Sequence, residues 1–467
     1  VMSVDFDTRP DFAAHVPVLI AGGGACGLVA GLAASDAGVP ALVLERDAEP
    51  AGSTAMSYGA ICAAATTAQR DAGVDDQAEW LIEDILAITR GQTDPDLAAL
   101  IGSEAGPTVE WLMSRHGLAL SVETSWTGMG HRRPRLHAPA DRSGRTLMNQ
   151  LQAAAAAAGV DIATSARVST VFADASGKVS GVAVTRPDGA VETIGCDALI
   201  IATCGFGANA AMVAEHMPRM GNARYYGHEG NHGDGIAWGV ALGGRAADMG
   251  AYQALGSLAE PQSIVIPHTL LIGGGVQINT AGRRFENELD NISGQALTIL
   301  DQPDGVCWMV YDERLHRAAL ERFAEYRDAA EVRACKSAAT IDELADQCRL
   351  PADTFRATMQ GVAELARSGE SDDFGRRFAA SEALAPPYYA IRVTGALFHT
   401  QGGLCVDKEA RVVTQHGESL PNLYAGGGAA RSVSGPGEWG YLPGMGLCMA
   451  VTLGSIAGQA AARQVLA

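Results

Sequence analysis

Residues 16–27 read Val-Pro-Val-Leu-Ile-Ala-Gly-Gly-Gly-Ala-Cys-Gly, an apolar run with β-branched members that breaks into glycine. An Ala-rich stretch at 28–37 follows and ends at Gly38, and Pro40-Ala41-Leu42-Val43-Leu44 then leads into Glu45. The order predicts a buried strand, a tight turn, a helix closed by glycine and a second buried strand. Gly22, Gly24 and Gly27 stand at G-x-G-x-x-G spacing between the strand and the helix, with the acidic residue Glu45 at the end of the second strand. Together these make a dinucleotide-binding fingerprint. Gly22 permits the turn, Gly24 lets backbone approach a pyrophosphate on the positive helix N-terminus alongside Ala25 and Cys26, and Gly27 lets helix and strand pack closely. Glu45 is placed to accept from the adenosine ribose hydroxyls.

The fingerprint alone does not choose between FAD and NAD; later segments favour FAD. Arg46 is followed by a loop of small residues, with Gly52, Ser53, Thr54, Ser57, Tyr58 and Gly59, suited to lie along a ribityl chain and pyrophosphate. Far downstream, the apolar run 197–201 ends in a second small-residue turn with Ala202, Thr203 and Gly205. A third such segment, 423–428, contains Gly427 and precedes a long C-terminal helix expected at 447–467. The start of that helix, at Gly446 and Leu447, would face the pyrimidine end of a flavin, where negative charge develops on reduction.

Composition sets the limits. The chain has 467 residues, 34 Lys and Arg against 53 Asp and Glu, a formal charge of -19, and 47% hydrophobic residues. That size and apolar content support two domains, or one large domain carrying an insertion, and exclude a small binding module or a chain disordered throughout. The acidic balance argues against nucleic acid or an anionic membrane as partner. No apolar run of about twenty residues lacks a charge or glycine break, and the lead-in with Asp5, Asp7, Arg9 and Asp11 has no secretory layout, so the expected location is the cytoplasm. The nine cysteines include no C-x-x-C pair and no His/Cys cluster; they read as reduced and buried, and no metal site is expected.

The chain resembles the fumarate reductase and succinate dehydrogenase flavoprotein superfamily, including the 3-ketosteroid dehydrogenases. The resemblance runs through the fingerprint, the 42–61 segment, Asn231-His232-Gly233-Asp234-Gly235, Gly275-Val276-Gln277-Ile278-Asn279, Gly282-Arg283-Arg284-Phe285-Glu286-Asn287-Glu288, Phe398-His399-Thr400-Gln401-Gly402-Gly403 and the segment 440–458. It implies an α/β fold, a Rossmann-like FAD-binding domain (1–249 and 395–467) with an inserted α+β capping domain (250–394), and substrate held between flavin and cap. Asp234 joins the cofactor residues on this basis. The polar stretches 312–333 and 368–377 read as solvated helices and loops. The first loop has no histidine to link the flavin, so FAD is expected to be non-covalent, and no haem motif supplies an electron wire. Dioxygen, a quinone or a carrier protein must then reoxidise it.

The departures from the family narrow the chemistry. Ile292 stands where fumarate reductases carry a catalytic arginine, Leu255 replaces a substrate-binding histidine, and Tyr441 takes the position of the arginine that clamps a dicarboxylate. His399 remains. Gly440-Tyr441-Leu442-Pro443-Gly444 is similar to the segment of ketosteroid dehydrogenases in which a tyrosine hydroxyl and a glycine amide hold the ketone oxygen. Trp439 flanks it as a substrate contact. Removing a proton beside a carbonyl builds enolate charge on oxygen, which fixed donors in a dry pocket stabilise. The expected reaction is therefore desaturation next to the ketone of a cyclic substrate such as 4-oxocyclohexanecarboxylate or a 3-ketosteroid, with ene-reduction of an unsaturated acid or enone as the alternative. For the base, Tyr252, His399, His131 and a water all remain open. Arg132 and Arg431 are candidates to clamp a substrate carboxylate.

Overall fold

The 16–21 run forms its strand because nothing in it needs water. Ala14–Ala21 takes a central place in the main sheet, and Val18, Leu19 and Ile20 are fully buried. This computed structural model describes residues 3–6 and 10–467; Asp7 and Arg9 of the lead-in lie outside the described residues. The chain divides into two compact units, one of residues 1–217, 227–252 and 399–467, the other of 218–226 and 253–398.

In the first unit Ala14–Ala21 pairs in parallel with Ala41–Leu44 on one side and Val191–Ile201 on the other, and Ala41–Leu44 pairs onward with Asp161–Ala163. Parallel strands covered on both faces read as continuous apolar runs, as 16–21 and 41–44 do. Val191–Ile201 pairs antiparallel with Val179–Thr185 over its first half and parallel with Ser419–Ala425 over its last residues, so the late segment completes the early sheet. The fingerprint helix is Ala25–Asp36, followed by Gly38 at φ 78°. It packs against the C-terminal helix Met445–Leu466 through small residues. A Cβ on Gly454 would lie 2.5 Å from the Cys26 carbonyl oxygen, and one on Gly458 2.2 Å from that of Ala30. The C-terminal helix is long and apolar enough to cross a bilayer, yet 72% of its apolar window is buried inside the structure.

The second unit is built on an antiparallel sheet in which Val306–Asp312 lies between Val276–Ile278 and Tyr388–Thr400. The segment 218–226, expected in the nucleotide domain, belongs here because Arg224 and Tyr225 pair with Ala396 and Leu397. Helices Glu313–Arg322 and Ala324–Glu331 follow the reading of 312–333, although Tyr326 is fully buried. The 368–377 stretch departs from it. Arg376 is 2% exposed and donates to Glu288 at 2.7 Å and to the backbone carbonyls of Gly275 and Leu271, so this loop is anchored by a charge inside the unit.

Candidate functional site

Within the first unit a groove runs along the C-terminal ends of the parallel strands, the usual ligand position of an open α/β sheet. Gly22 forms its floor at φ 111°, where a Cβ would lie 2.3 Å from the Ala202 carbonyl oxygen. A Cβ on Gly27 would meet the Gly22 carbonyl oxygen at 1.8 Å. Gly24 caps the fingerprint helix in extended conformation with no side-chain cap, leaving first-turn amides for an anion, while the Ala25 amide donates to Thr54 Oγ1 at 3.2 Å. Glu45, 6% exposed, accepts from the Gly23 amide at 2.8 Å and the Asp47 amide at 2.9 Å. Burial pushes its carboxyl above the ordinary value, and the two amides oppose that shift. Each carboxylate oxygen retains a lone pair for a ribose hydroxyl.

Thirteen of the expected cofactor residues line this groove: Gly22, Gly24, Ala25, Cys26, Glu45, Arg46, Gly52, Ser53, Thr54, Ala202, Thr203, Asp234 and Gly427. Gly27 sits beneath the turn. Ser57 and Gly59 do not reach the wall, because the Ser57 hydroxyl donates to the Thr54 carbonyl and accepts from the Gly59 amide. Tyr58 is exposed, and Gly205 packs on Thr400. Gly446 and Leu447 lie in the first turn of the C-terminal helix, where Gly446 faces His399 rather than the groove. The sequence reading missed Arg167, at the start of strand Arg167–Ala173, His228 and Gly230, in a loop, and Trp238, on helix Asp234–Ala241, which also line the wall. Two buried polar atoms on the wall, Thr203 Oγ1 and Trp238 Nε1, have no protein partner. Orphaned donors of this kind, beside uncapped helix amides and a two-armed carboxylate, fit FAD.

A second cluster surrounds the start of the C-terminal helix. Gly444, at φ 78°, is the helix N-cap and admits the chain where a Cβ would lie 2.6 Å from Leu136 Cδ2. Tyr441 is half-buried on the preceding turn. Burial pushes its hydroxyl upward, and the nearby Gly444 amide pulls the other way. His399 stands edge-on to Tyr441 with ring centroids 6.2 Å apart, and its Nε2 lies 3.0 Å from where a Cβ on Gly446 would be. Its Nδ1 is 3.3 Å from the Thr400 carbonyl oxygen, which can only accept, so the proton is on Nδ1 and the Nε2 lone pair is open. Burial holds the imidazole below its ordinary pKa, hence neutral at pH 7.

Several candidates are used elsewhere. His131 is buried with both nitrogens committed: Nε2 donates to the Pro443 carbonyl at 2.9 Å and Nδ1 accepts from Arg135 at 3.5 Å. Burial and Arg135 push it down to about 4. With no lone pair to spare, it is not the base. Arg132 is not an open carboxylate clamp, since it donates to Asp84 and Glu83, each at 2.6 Å. Arg431 is likewise held by Asp248 at 2.6 Å and Asp94 at 2.9 Å. Trp439 is half-buried, with the Arg90 guanidinium 5.1 Å from its ring centre and Nε1 without a partner. Tyr252 is 4% exposed at the start of strand Tyr252–Ala259.

The second unit holds its own charge network. Glu288 accepts from Arg284 and Arg376, and Arg284 also donates to Asp372. Together the arginines hold the Glu288 carboxyl below its usual range against burial. Leu255 packs with Leu258, Val265 and Ala396, an apolar role in keeping with the loss of histidine there. Among the described residues no group of three metal-ligating side chains forms, and all nine cysteines are free thiols.

Fold, fingerprint and groove together define a flavin dinucleotide-binding protein. A profile of the FAD binding domain family matches residues 17–446, and the chain belongs to that family, within the fumarate reductase and succinate dehydrogenase flavoprotein superfamily. It is an FAD-dependent oxidoreductase. A probable fumarate reductase of Shewanella frigidimarina is 28% identical over 96% of this chain and 75% of its own length. The 4-oxocyclohexanecarboxylate 2-dehydrogenase of Sinomonas cyclohexanicum is 26% identical over 96% of this chain and 93% of its own. A 3-ketosteroid Δ4-(5α)-dehydrogenase from Rhodococcus jostii RHA1, solved with 4-androstene-3,17-dione, shares the fold with TM-score 0.79 and 24% identity, covering 99% of this chain and all of that one.

Proposed function

We propose that this protein is an FAD-dependent dehydrogenase that introduces a C=C bond beside the carbonyl of a cyclic ketone. The observation that carries the reading is the Tyr441 ring just before the C-terminal helix with the neutral His399 imidazole edge-on beside it, centroids 6.2 Å apart. Tyr441 donates to the ketone oxygen. As enolate charge grows on the substrate oxygen that donor strengthens, and one such donor is worth roughly 3 kcal/mol in the transition state. His399 takes the α-proton on Nε2, its Nδ1–H fixed by the Thr400 carbonyl. FAD, when bound, supplies the acceptor for the β-hydride, and the product is the enone. A small-molecule cyclic ketone is the partner; the reoxidant is dioxygen, a quinone or a carrier protein.

Similarity to a 4-oxocyclohexanecarboxylate dehydrogenase and to a ketosteroid dehydrogenase fold supports a ring ketone. Since Arg132 and Arg431 are neutralised in place, the reading requires the ketone and not a ring carboxylate. Similarity to a fumarate reductase favours a second reading, reduction of an unsaturated acid. Against it, the dicarboxylate clamp position is Tyr441, and a histidine held below its usual pKa is a poor reservoir for the proton that reduction must add. Turnover of saturated cyclic ketones, measured with an artificial electron acceptor for the holoenzyme and for Tyr441→Phe, tests the proposal. An unchanged rate in the variant rejects it.

A further inference from the structure

Arg46 and Gly230 lie 184 positions apart in sequence, yet both line the cofactor groove and are tied to each other there. Arg46 Nη1 donates to the Gly230 carbonyl at 3.1 Å. His228 Nδ1 accepts from the Gly230 amide at 3.0 Å, which leaves the ring proton on Nε2, and Nε2 meets Asp47 Oδ2 at 2.8 Å. Asn231 Nδ2 donates to Ser53 Oγ at 2.8 Å. The loop 228–231 is thus fastened by side-chain contacts to Arg46, Asp47 and Ser53, the residues that flank the carboxylate arm Glu45 and the small-residue loop after it.

These contacts stand at the rim. The side chains of His228 and Asp47 are 21% and 37% exposed, whereas Glu45, which accepts from the Asp47 amide at 2.9 Å, is 6% exposed. Gly230 makes the closeness possible, since a Cβ there would lie 2.8 Å from Arg46 Nη1 and 2.9 Å from the His228 ring. Backbone holds the other end of the loop: the Asn231 carbonyl accepts from the Ala208 amide and the Gly205 carbonyl from the Gly233 amide, each at 3.0 Å. Half-exposed side-chain pairs exchange with water at small cost, while a backbone anchor does not. The loop therefore has a fixed end at Asn231 and a releasable end at His228 and Gly230.

We propose that residues 228–231 form a clasp at the Glu45 end of the groove, closed by His228–Asp47 and Arg46–Gly230, whose opening sets the rate at which FAD enters and leaves. A clasp that must open for both events slows both, so it prolongs residence of the cofactor without raising its affinity in the same measure. The inference concerns cofactor retention and stands apart from the ketone reading. Asp47 is outside the set of described residues that line the groove, so its side chain can be removed with the wall left in place.

The test dilutes the FAD-loaded protein and follows flavin fluorescence, which gives the release rate constant and the Kd; their ratio is the uptake rate constant. Asp47→Ala is expected to raise release and uptake each about fivefold and to move Kd by less than about twofold. Asp47→Asn loses the charge but keeps an oxygen to accept from His228 Nε2, and is expected to stay near wild type. Gly230→Ala displaces Arg46 and His228 by a different route and is expected to speed both rates as well. Release that rises alone, with Kd rising in step, makes Asp47 an affinity contact and overturns the clasp. An asparagine as fast as alanine overturns it too, as do unchanged rates in both Asp47→Ala and Gly230→Ala. Each of these results leaves the ketone reading standing, since none of them measures turnover.

Discussion

His399 and Tyr441 meet edge to face, with ring centroids 6.2 Å apart and planes at 80°, at the first turn of the C-terminal helix. One ring offers an open imidazole lone pair and the other a phenol, the two polar functions that α-proton removal from a ketone requires.

Tyr441→Phe removes only the hydroxyl. With a cyclic ketone, kcat is expected to fall about 100-fold, equivalent to roughly 3 kcal/mol, while the yellow colour and the FAD absorbance ratio stay at the wild-type value. Steady-state kinetics beside a flavin spectrum check both halves.

His399 gives the reaction its pH dependence. A base must be unprotonated, and burial places the His399 pKa below its ordinary 6.5. The rate is therefore expected to hold through neutrality and to fall as pH drops through a value under 6.5. His399→Gln should lower kcat by about 10²–10⁴-fold and flatten that acid limb. A pH profile of kcat/KM on both proteins decides.

Glu45→Ala removes both carboxylate arms from the ribose end of the groove. FAD affinity is expected to weaken about 10- to 100-fold, measured by flavin fluorescence on dilution, because each charge-assisted bond contributes about 1.5–3 kcal/mol and water replaces part of it.

Asp84→Asn leaves Arg135 buried with one carboxylate in place of two and also takes a partner from Arg132. Chemical unfolding is expected to show a loss of about 3 kcal/mol. Since Asp84 is held below the usual carboxylate range, its contribution is present above about pH 4 and disappears as pH falls through the lowered value. The gap between wild type and variant should therefore close in acid.

Glu286 carries the opposite sign. Burial raises its carboxyl to about 8, and Oε1 has no hydrogen-bond partner. The folded state holds a proton that the unfolded state releases above about pH 4.5, so the group destabilises the protein as pH rises toward 8. Glu286→Gln is expected to raise stability at pH 8 by about 2 kcal/mol and to change little at pH 4.5, which thermal scans at the two pH values would reveal.

The nucleotide half was legible because its signals are local. Strand, turn, helix and acid fall within some thirty residues, and the glycines stand where backbone approach forbids a Cβ, as Gly22 and Gly27 do. The arginines were misread for the converse reason. Arg132 and Arg431 look open beside their neighbours in sequence, whereas Asp84 lies 48 positions from one and Asp248 and Asp94 lie 183 and 337 from the other. His131 was misread likewise, since its partner Pro443 lies 312 positions away. Arg376, in a run that looks solvated, is drawn inside by Glu288 88 positions upstream. Long-range ion pairing leaves no periodicity, so a sequence reading overcounts available charges.

The most direct measurement is an anaerobic titration of the purified yellow protein with saturated cyclic ketones, a ketosteroid and succinate, following the oxidised flavin band. The account predicts bleaching by a cyclic ketone and none by succinate. Persistence of the band with every ketone, together with recovery of that band when the pre-reduced protein meets an unsaturated acid, would contradict it.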